Sequence, residues 1–173
     1  MTAPESDLST DLSAGALRQA FARHPSGLAA LCAVVDGEPQ GIVASSFTVG
    51  VSLDPPLVLF AVQKSSRTWP RIRAAQRIGV SVLGATHRDV CRQIAARDGD
   101  RFAGVRFESS DAGALFLHEA ALWLDCSIDQ EVDAGDHAVV ILRVHRHAAH
   151  EGLHQPLVFH DSDFATLGAP AYA

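Results

Sequence analysis

The sequence predicts a mainly β protein with short helices, its strands arranged as an antiparallel barrel. Three observations carry this. Short apolar, β-branched runs are separated by tight turn signals, about seven strands and three short helices can be placed, and nothing alternates regularly enough to build a doubly wound parallel sheet. No internal repeat or low-complexity tract interrupts the pattern.

Residues 1–12 are polar and acidic and read as a flexible leader, with residues 13–173 forming a single domain. No basic segment followed by an apolar one is present there, so no signal peptide is read. Leu17, Ala20 and Phe21 recur at helical spacing, and Pro25 and Gly27 stop that helix. Residues 28–35 are a short apolar run; Asp36-Gly37 then marks a hairpin, with residues 40–44 returning. Residues 49–53 and 57–62 are two further strands, turned by Asp54-Pro55-Pro56. Thr68 is placed to cap a short helix over 69–75, with Pro70 tolerated in its first turn. Residues 78–83 are β-branched and apolar, hence a strand.

Thr86 is placed to cap a further helix, with Asp89 three residues on and Val90, Ile94 and Ala95 as its apolar face. Residues 97–104 form a polar loop. Two long strands follow over 122–128 and 138–147, connected through 134–137. In the first, Leu122, Leu124, Cys126 and Ile128 share a face; in the second, Val140, Leu142 and Val144 point inward. Residues 156–160 make a last short strand before a terminal tail.

Composition excludes several classes. With 47% hydrophobic and 20% charged residues, the chain reads as globular and long enough to bury a core unaided. A net charge of −6 argues against nucleic acid, which calls for a basic surface. The longest apolar run, 28–35, is far short of the ~20 residues that span a bilayer, so no membrane partner is expected. Cys32, Cys91 and Cys126 are odd in number and widely spaced, which points to reduced thiols and a cytoplasmic protein. Dinucleotide glycine loops, Walker loops, nucleophile elbows and calcium loops are absent. His145 and His147 share a strand face, and His150, His154 and His160 follow. Nothing fixes a third ligand, so they read as a polar edge with no metal.

The chemistry concentrates elsewhere. Ser45, Ser46, Thr48 and Ser52 place four hydroxyls within eight residues. A buried hydroxyl left unpaired costs roughly 1–3 kcal/mol, so the backbone or a polar ligand must supply partners. A ligand is the preferred reading, under which Ser46→Val weakens binding with little loss of folding. Ser65, Ser66 and Thr68, among Lys64, Arg67 and Arg71 at a helix start, form a candidate anion site. Arg101-Phe102 pairs a cation with a ring, able to cover a planar ligand or simply to pack. His137 sits at a turn and has the same two readings.

Together and in order, these motifs resemble the flavin reductase family with the FMN-binding split-barrel fold, the small reductase components of two-component flavin-dependent monooxygenases. The resembling segments are residues 21–35, Ala44-Ser45-Ser46-Phe47 with Ser52-Leu53-Asp54-Pro55-Pro56-Leu57, Ser65-Ser66-x-Thr68, Asp100-Arg101-Phe102-x-Gly104, Gly135-Asp136-His137 and Pro156-Leu157-Val158-Phe159. The resemblance implies an antiparallel Greek-key split β-barrel and a homodimer with flavin at or near the subunit interface. It implies hydride transfer from NADH or NADPH to FMN or FAD, with reduced flavin released to a separate oxygenase. Carried to this chain, it puts Ala44, Ser45, Ser46 and Phe47 against the isoalloxazine and ribityl chain, with Ser52 as a further cofactor-binding hydroxyl. It puts Ser65, Ser66 and Thr68 near the phosphate, and Arg101, Phe102 and His137 near the nicotinamide or flavin face. Such a cofactor carries the chemistry itself, which agrees with the absence of acid–base motifs. A flavin carrier without turnover, or a flavoprotein that retains its flavin and acts on its own substrate, are the alternatives. One segment departs from the family, whose last strand often continues with Tyr, Arg and Gly; here Phe159-His160-Asp161-Ser162-Asp163-Phe164 follows.

Overall fold

The unbroken apolar run near the N-terminus forms a strand buried on both faces. In the computed structural model, which describes residues 8–151 and 155–167, this is β2 (Ala29–Val35). Ala29, Leu31 and Ala33 belong to one core, Ala30 and Cys32 to another. A strand covered on both sides has no solvent face to make polar, so alternation disappears from its sequence.

Ahead of it lie α1 (Ala14–Phe21), capped by the Ser13 hydroxyl, and β1 (Ser26–Gly27). β2 turns into β3 (Glu38–Ala44) through Asp36 and Gly37, both at positive φ (54° and 80°). That is the two-residue turn whose twist suits a hairpin and which Asp-Gly favours. β4 (Thr48–Leu53) and β5 (Pro56–Gln63) make a second hairpin, followed by α2 (Trp69–Ile72), β6 (Ile78–Val82), α3 (Arg88–Ala95), β7 (Phe107–Ser109) and β8 (Leu115–Leu117). The long pair β9 (Leu122–Ala134) and β10 (His137–Ala149) turns at Gly135 and Asp136, and β11 (Leu157–His160) and β12 (Asp163–Thr166) follow.

The strand ladders are antiparallel throughout. The principal sheet has seven strands in the order β3-β2-β6-β9-β10-β5-β4, beside the small sheets β1-β11-β12 and β7-β8. It curls into a barrel that does not close by a ladder. At the seam between β3 and β5 a side chain makes the join: Ser46 Oγ accepts from the Ala61 N–H (2.9 Å) and donates to the Ala61 carbonyl (3.1 Å). The result is a split barrel.

Leu31, Phe60, Ile78, Val80, Cys126 and Leu142 fill its interior, and α2 plugs one end with Trp69 and Ile72. The Trp69 ring meets Phe60 edge-on at 5.2 Å. The second core lies outside the barrel, where Cys91 and Ile94 of α3, Leu115 and Leu117 of β8 and Leu157 of β11 pack on β2. β8 crosses β6 so closely that a Cβ on Gly79 would lie 2.1 Å from the Leu115 carbonyl oxygen.

Several expected details differ. α2 ends at Ile72, not at 75, and Thr68 does not cap it: Thr68 is itself helical (φ −88°, ψ −37°), and the Ser66 hydroxyl accepts from the Trp69 N–H (3.1 Å). Thr86 lies inside a 3-10 turn (Ala85–His87) ahead of α3, where His87 Nδ1 accepts from the Gly84 N–H. The buried face of α3 is Cys91 and Ile94, with Ala95 exposed. β1, β7, β8 and β12 were not anticipated; at two to four residues each they are too short to show a period. Residues 8–12 are exposed coil; the rest of the expected leader and the end of the tail, 168–173, lie outside the described residues.

Candidate active site

Where β3 and β5 fail to pair, they leave a cleft of about 720 Å³. Residues 42–46 form one wall, and residues 61–63 of β5 with the loop 65–68 the other. The end of α3, the loop after it and His137 complete the rim. This size lies within the range of small-molecule pockets, about 300–1,000 Å³.

The charge in this cleft is opposite to that of the chain. Its lining includes Arg67, Arg97 and Arg101 and no Asp or Glu, although the whole sequence carries −6. Arg67 and Arg97 make no ion pair among the described residues, so their charge is free for an anion. Arg101 is held: its Nη1 donates to Thr68 Oγ1 (2.8 Å) and to the Gly41 carbonyl (3.3 Å). Lys64 turns elsewhere, to Asp133 at 3.0 Å, and Arg71 lines a neighbouring cleft. α2 has only four residues, so its dipole is short. The attraction for an anion resides mainly in the guanidinium groups.

Of the residues expected to contact flavin or coenzyme, Ala44, Ser45, Ser46, Ser65, Ser66, Thr68, Arg101 and His137 all line this cleft. Three do not. Phe47 lines a third cleft of about 560 Å³ with Phe21 and His24, adjoining the first at Ser45 and Ser46. Ser52 lies in the edge strand β4 opposite Leu57. Phe102 is buried in the second core, edge-on to Phe107 at 5.8 Å, so it does not join Arg101 in covering the first cleft. Arg97 and Gln63 line the cleft without having been singled out; each lies in a stretch with no motif of its own.

The hydroxyl cluster is partly satisfied from within, which corrects the expectation that a ligand supplies its partners. Ser46 bonds both polar groups of Ala61, Thr48 Oγ1 donates to the Ser46 carbonyl (3.4 Å), and Ser66 caps α2. Ser45 makes no side-chain hydrogen bond among the described residues and is exposed in the cleft. At the rim, His137 Nδ1 lies 2.7 Å from Asp136 Oδ1, and this contact holds the Asp136 carboxyl below its usual range. The strand histidines are used locally: His145 Nε2 meets Ser127 Oγ at 2.8 Å and His150 Nδ1 meets the Ala120 carbonyl at 2.8 Å. His154 lies outside the described residues.

Residues 21–168 match the model of the flavin reductase like domain. The chain belongs to the flavin reductase family. It is 38% identical over 125 residues to a flavin reductase of Pseudomonas putida, covering 72% of this chain and 73% of that one. It is 30% identical over 161 residues to the reductase subunit HsaB of a flavin-dependent monooxygenase from Mycobacterium tuberculosis, covering 92% and 86%. Among solved structures, the NADH:FAD oxidoreductase SgcE6 of Streptomyces globisporus, in complex with NAD and FAD fragments, superposes with a TM-score of 0.86 at 30% identity, covering 96% of this chain and 99% of that one. As a member of this family the protein is an oxidoreductase that passes hydride from a nicotinamide nucleotide to a flavin.

The cleft suits a flavin on its own chemistry. Half-buried Ile42 and Val43 provide apolar wall for a ring system, the Ser45 hydroxyl is free for a polar ring edge, and three arginines with no carboxylate among them suit a phosphate.

Proposed function

We propose that the β3–β5 cleft holds the flavin while it is reduced by NADH or NADPH, and that the reduced flavin then leaves for a separate oxygenase. The observation that carries this is the cleft with three arginines and no carboxylate at the seam of an acidic protein. Bound flavin supplies the hydride-accepting centre, so the protein needs no acid, base or nucleophile of its own. The chain binds and orients. Arg67 and Arg97 hold the phosphate, and Thr68 and the Gly41 carbonyl fix Arg101 beside them. Ser45 addresses the polar edge of the ring, while the apolar wall keeps water from the stacked reactants. Holding two rings at reacting distance is itself a large part of the acceleration.

The third cleft adjoins the first at Ser45 and Ser46 and is lined by the aromatics Phe21 and Phe47, which favours it as the approach of the nicotinamide. Ser45, Ser46, Gln63, Ser65 and Arg67 are all exposed, so flavin can enter and leave. Val49, Val51 and Leu53 are exposed along edge strand β4, and an apolar edge of this kind supports a homodimer. The three cysteines are free and buried, which supports a cytoplasmic location for this single-domain enzyme over 13–173. Purified protein is expected to oxidise NADH or NADPH only when FMN or FAD is added, saturably in flavin. Absence of flavin-dependent oxidation with either coenzyme would refute the proposal.

A further inference from the structure

The first cleft does not end at Arg101. A second cleft of about 500 Å³ adjoins it, and the two share Arg67, Thr68, Arg97 and Arg101. Residues 38–41 of β3 line the second cleft, residues 42–46 the first. At about 3.3 Å per residue, the two lie in line along roughly 26 Å of strand and following loop. Beyond the shared arginines the second cleft adds Arg71, Glu38, Asp98 and Asp100. Asp100 Oδ1 accepts from the Phe102 N–H (3.0 Å). Arg71, Glu38 and Asp98 form no ion pair among the described residues.

We propose that the second cleft receives the adenosine monophosphate half of FAD, so that this reductase prefers FAD to FMN; the inference rests on the first cleft holding the flavin ring. Three arginines at the throat exceed what one phosphate monoester requires and suit a pyrophosphate. Glu38, Asp98 and Asp100 line the second cleft and not the first. They would repel a phosphate but accept hydrogen bonds from ribose hydroxyls and an adenine amino group, which are donors. The adenylate of the nicotinamide coenzyme is the competing occupant. Its ring must meet the flavin ring, whereas the second cleft joins the first at the cationic end, where the flavin's own phosphate lies. Continuity through a pyrophosphate therefore selects FAD.

Equilibrium titration of flavin fluorescence with FAD, FMN and riboflavin tests this, using the wild type, Arg71→Ala and Asp98→Asn. Arg71 and Asp98 are exposed, so neither change threatens folding. Wild type is expected to bind FAD about tenfold more tightly than FMN, and each variant to lose about three- to tenfold in FAD affinity with FMN unchanged. Equal FAD and FMN affinities in the wild type would overturn it, as would variants that leave FAD affinity intact; a raised KM for NADH in those variants, read in a parallel steady-state assay, would give the cleft to the coenzyme instead. Binding of none of the three flavins would instead overturn the assignment of the first cleft.

Discussion

Ser46 lies in the cleft wall, yet its hydroxyl is spent on tying the seam of the barrel to Ala61. Ser46→Val removes that tie and is expected to lower stability by about 1 kcal/mol in urea unfolding, since the site is exposed and water can re-pair the freed groups. An unchanged midpoint would show that the tie contributes nothing. Thr68→Val releases Arg101 and is expected to weaken FMN binding by about three- to tenfold while riboflavin, which has no phosphate, is unaffected. Equal losses for both ligands would place Thr68 away from the phosphate. A third residue sets a pH dependence. Partial desolvation and the nearby Arg77 and Arg143 push the exposed His145 imidazole below its ordinary value, with Asp125 pulling the other way. Because the folded value is depressed, the unfolded chain binds the proton more readily, and stability is full above the ordinary value of 6.5 and lost as pH falls through the lower folded value. His145→Gln is therefore expected to flatten the fall in urea midpoint between pH 8 and pH 5; identical slopes would remove His145 from the account.

At the scale of elements, what was legible in the sequence is what is decided locally. The Asp36-Gly37 hairpin, the apolar strand before it and the alternating faces of β9 and β10 follow from turn chemistry and side-chain periodicity, and the structure has them all. The caps differ from expectation because a hydroxyl chooses its partner in three dimensions: Thr68 serves Arg101, 33 residues away, and leaves α2 to Ser66. β12 was missed because Asp161 and Ser162 both adopt positive φ without a glycine to announce the turn. Gly79 belongs to this scale too. Gly79→Ala sets a Cβ against the backbone of Leu115, which cannot rotate away as a side chain would. A loss of about 3 kcal/mol, the upper part of the usual range for overpacking, is expected in thermal or urea unfolding. A neutral effect would mean that β6 and β8 separate more easily than their crossing implies.

For the whole molecule, the apolar edge of β4 is the test of assembly. Leu53, 88% exposed, lies at its end; if the proposed homodimer forms through this edge, the wild type sediments as a dimer and Leu53→Glu with Val51→Lys as a monomer in sedimentation velocity. A wild type that sediments as a monomer would refute the homodimer. Ordered motifs along the whole chain point to the family, while local sequence settles the mainly β class, its principal hairpins and two of the segments that wall the cleft, residues 44–46 and 65–68. Those depend on neighbours within a few residues. Long-range packing alone leaves β3 and β5 unpaired, brings Arg101 across 60 residues of chain to Gly41, and sets Arg97 in the cleft while Phe102 turns into the core. The physical reason is the same in each case. A side chain's role in a cleft is set by which remote backbone lies beside it, and that is fixed by the packing of two cores rather than by local preference.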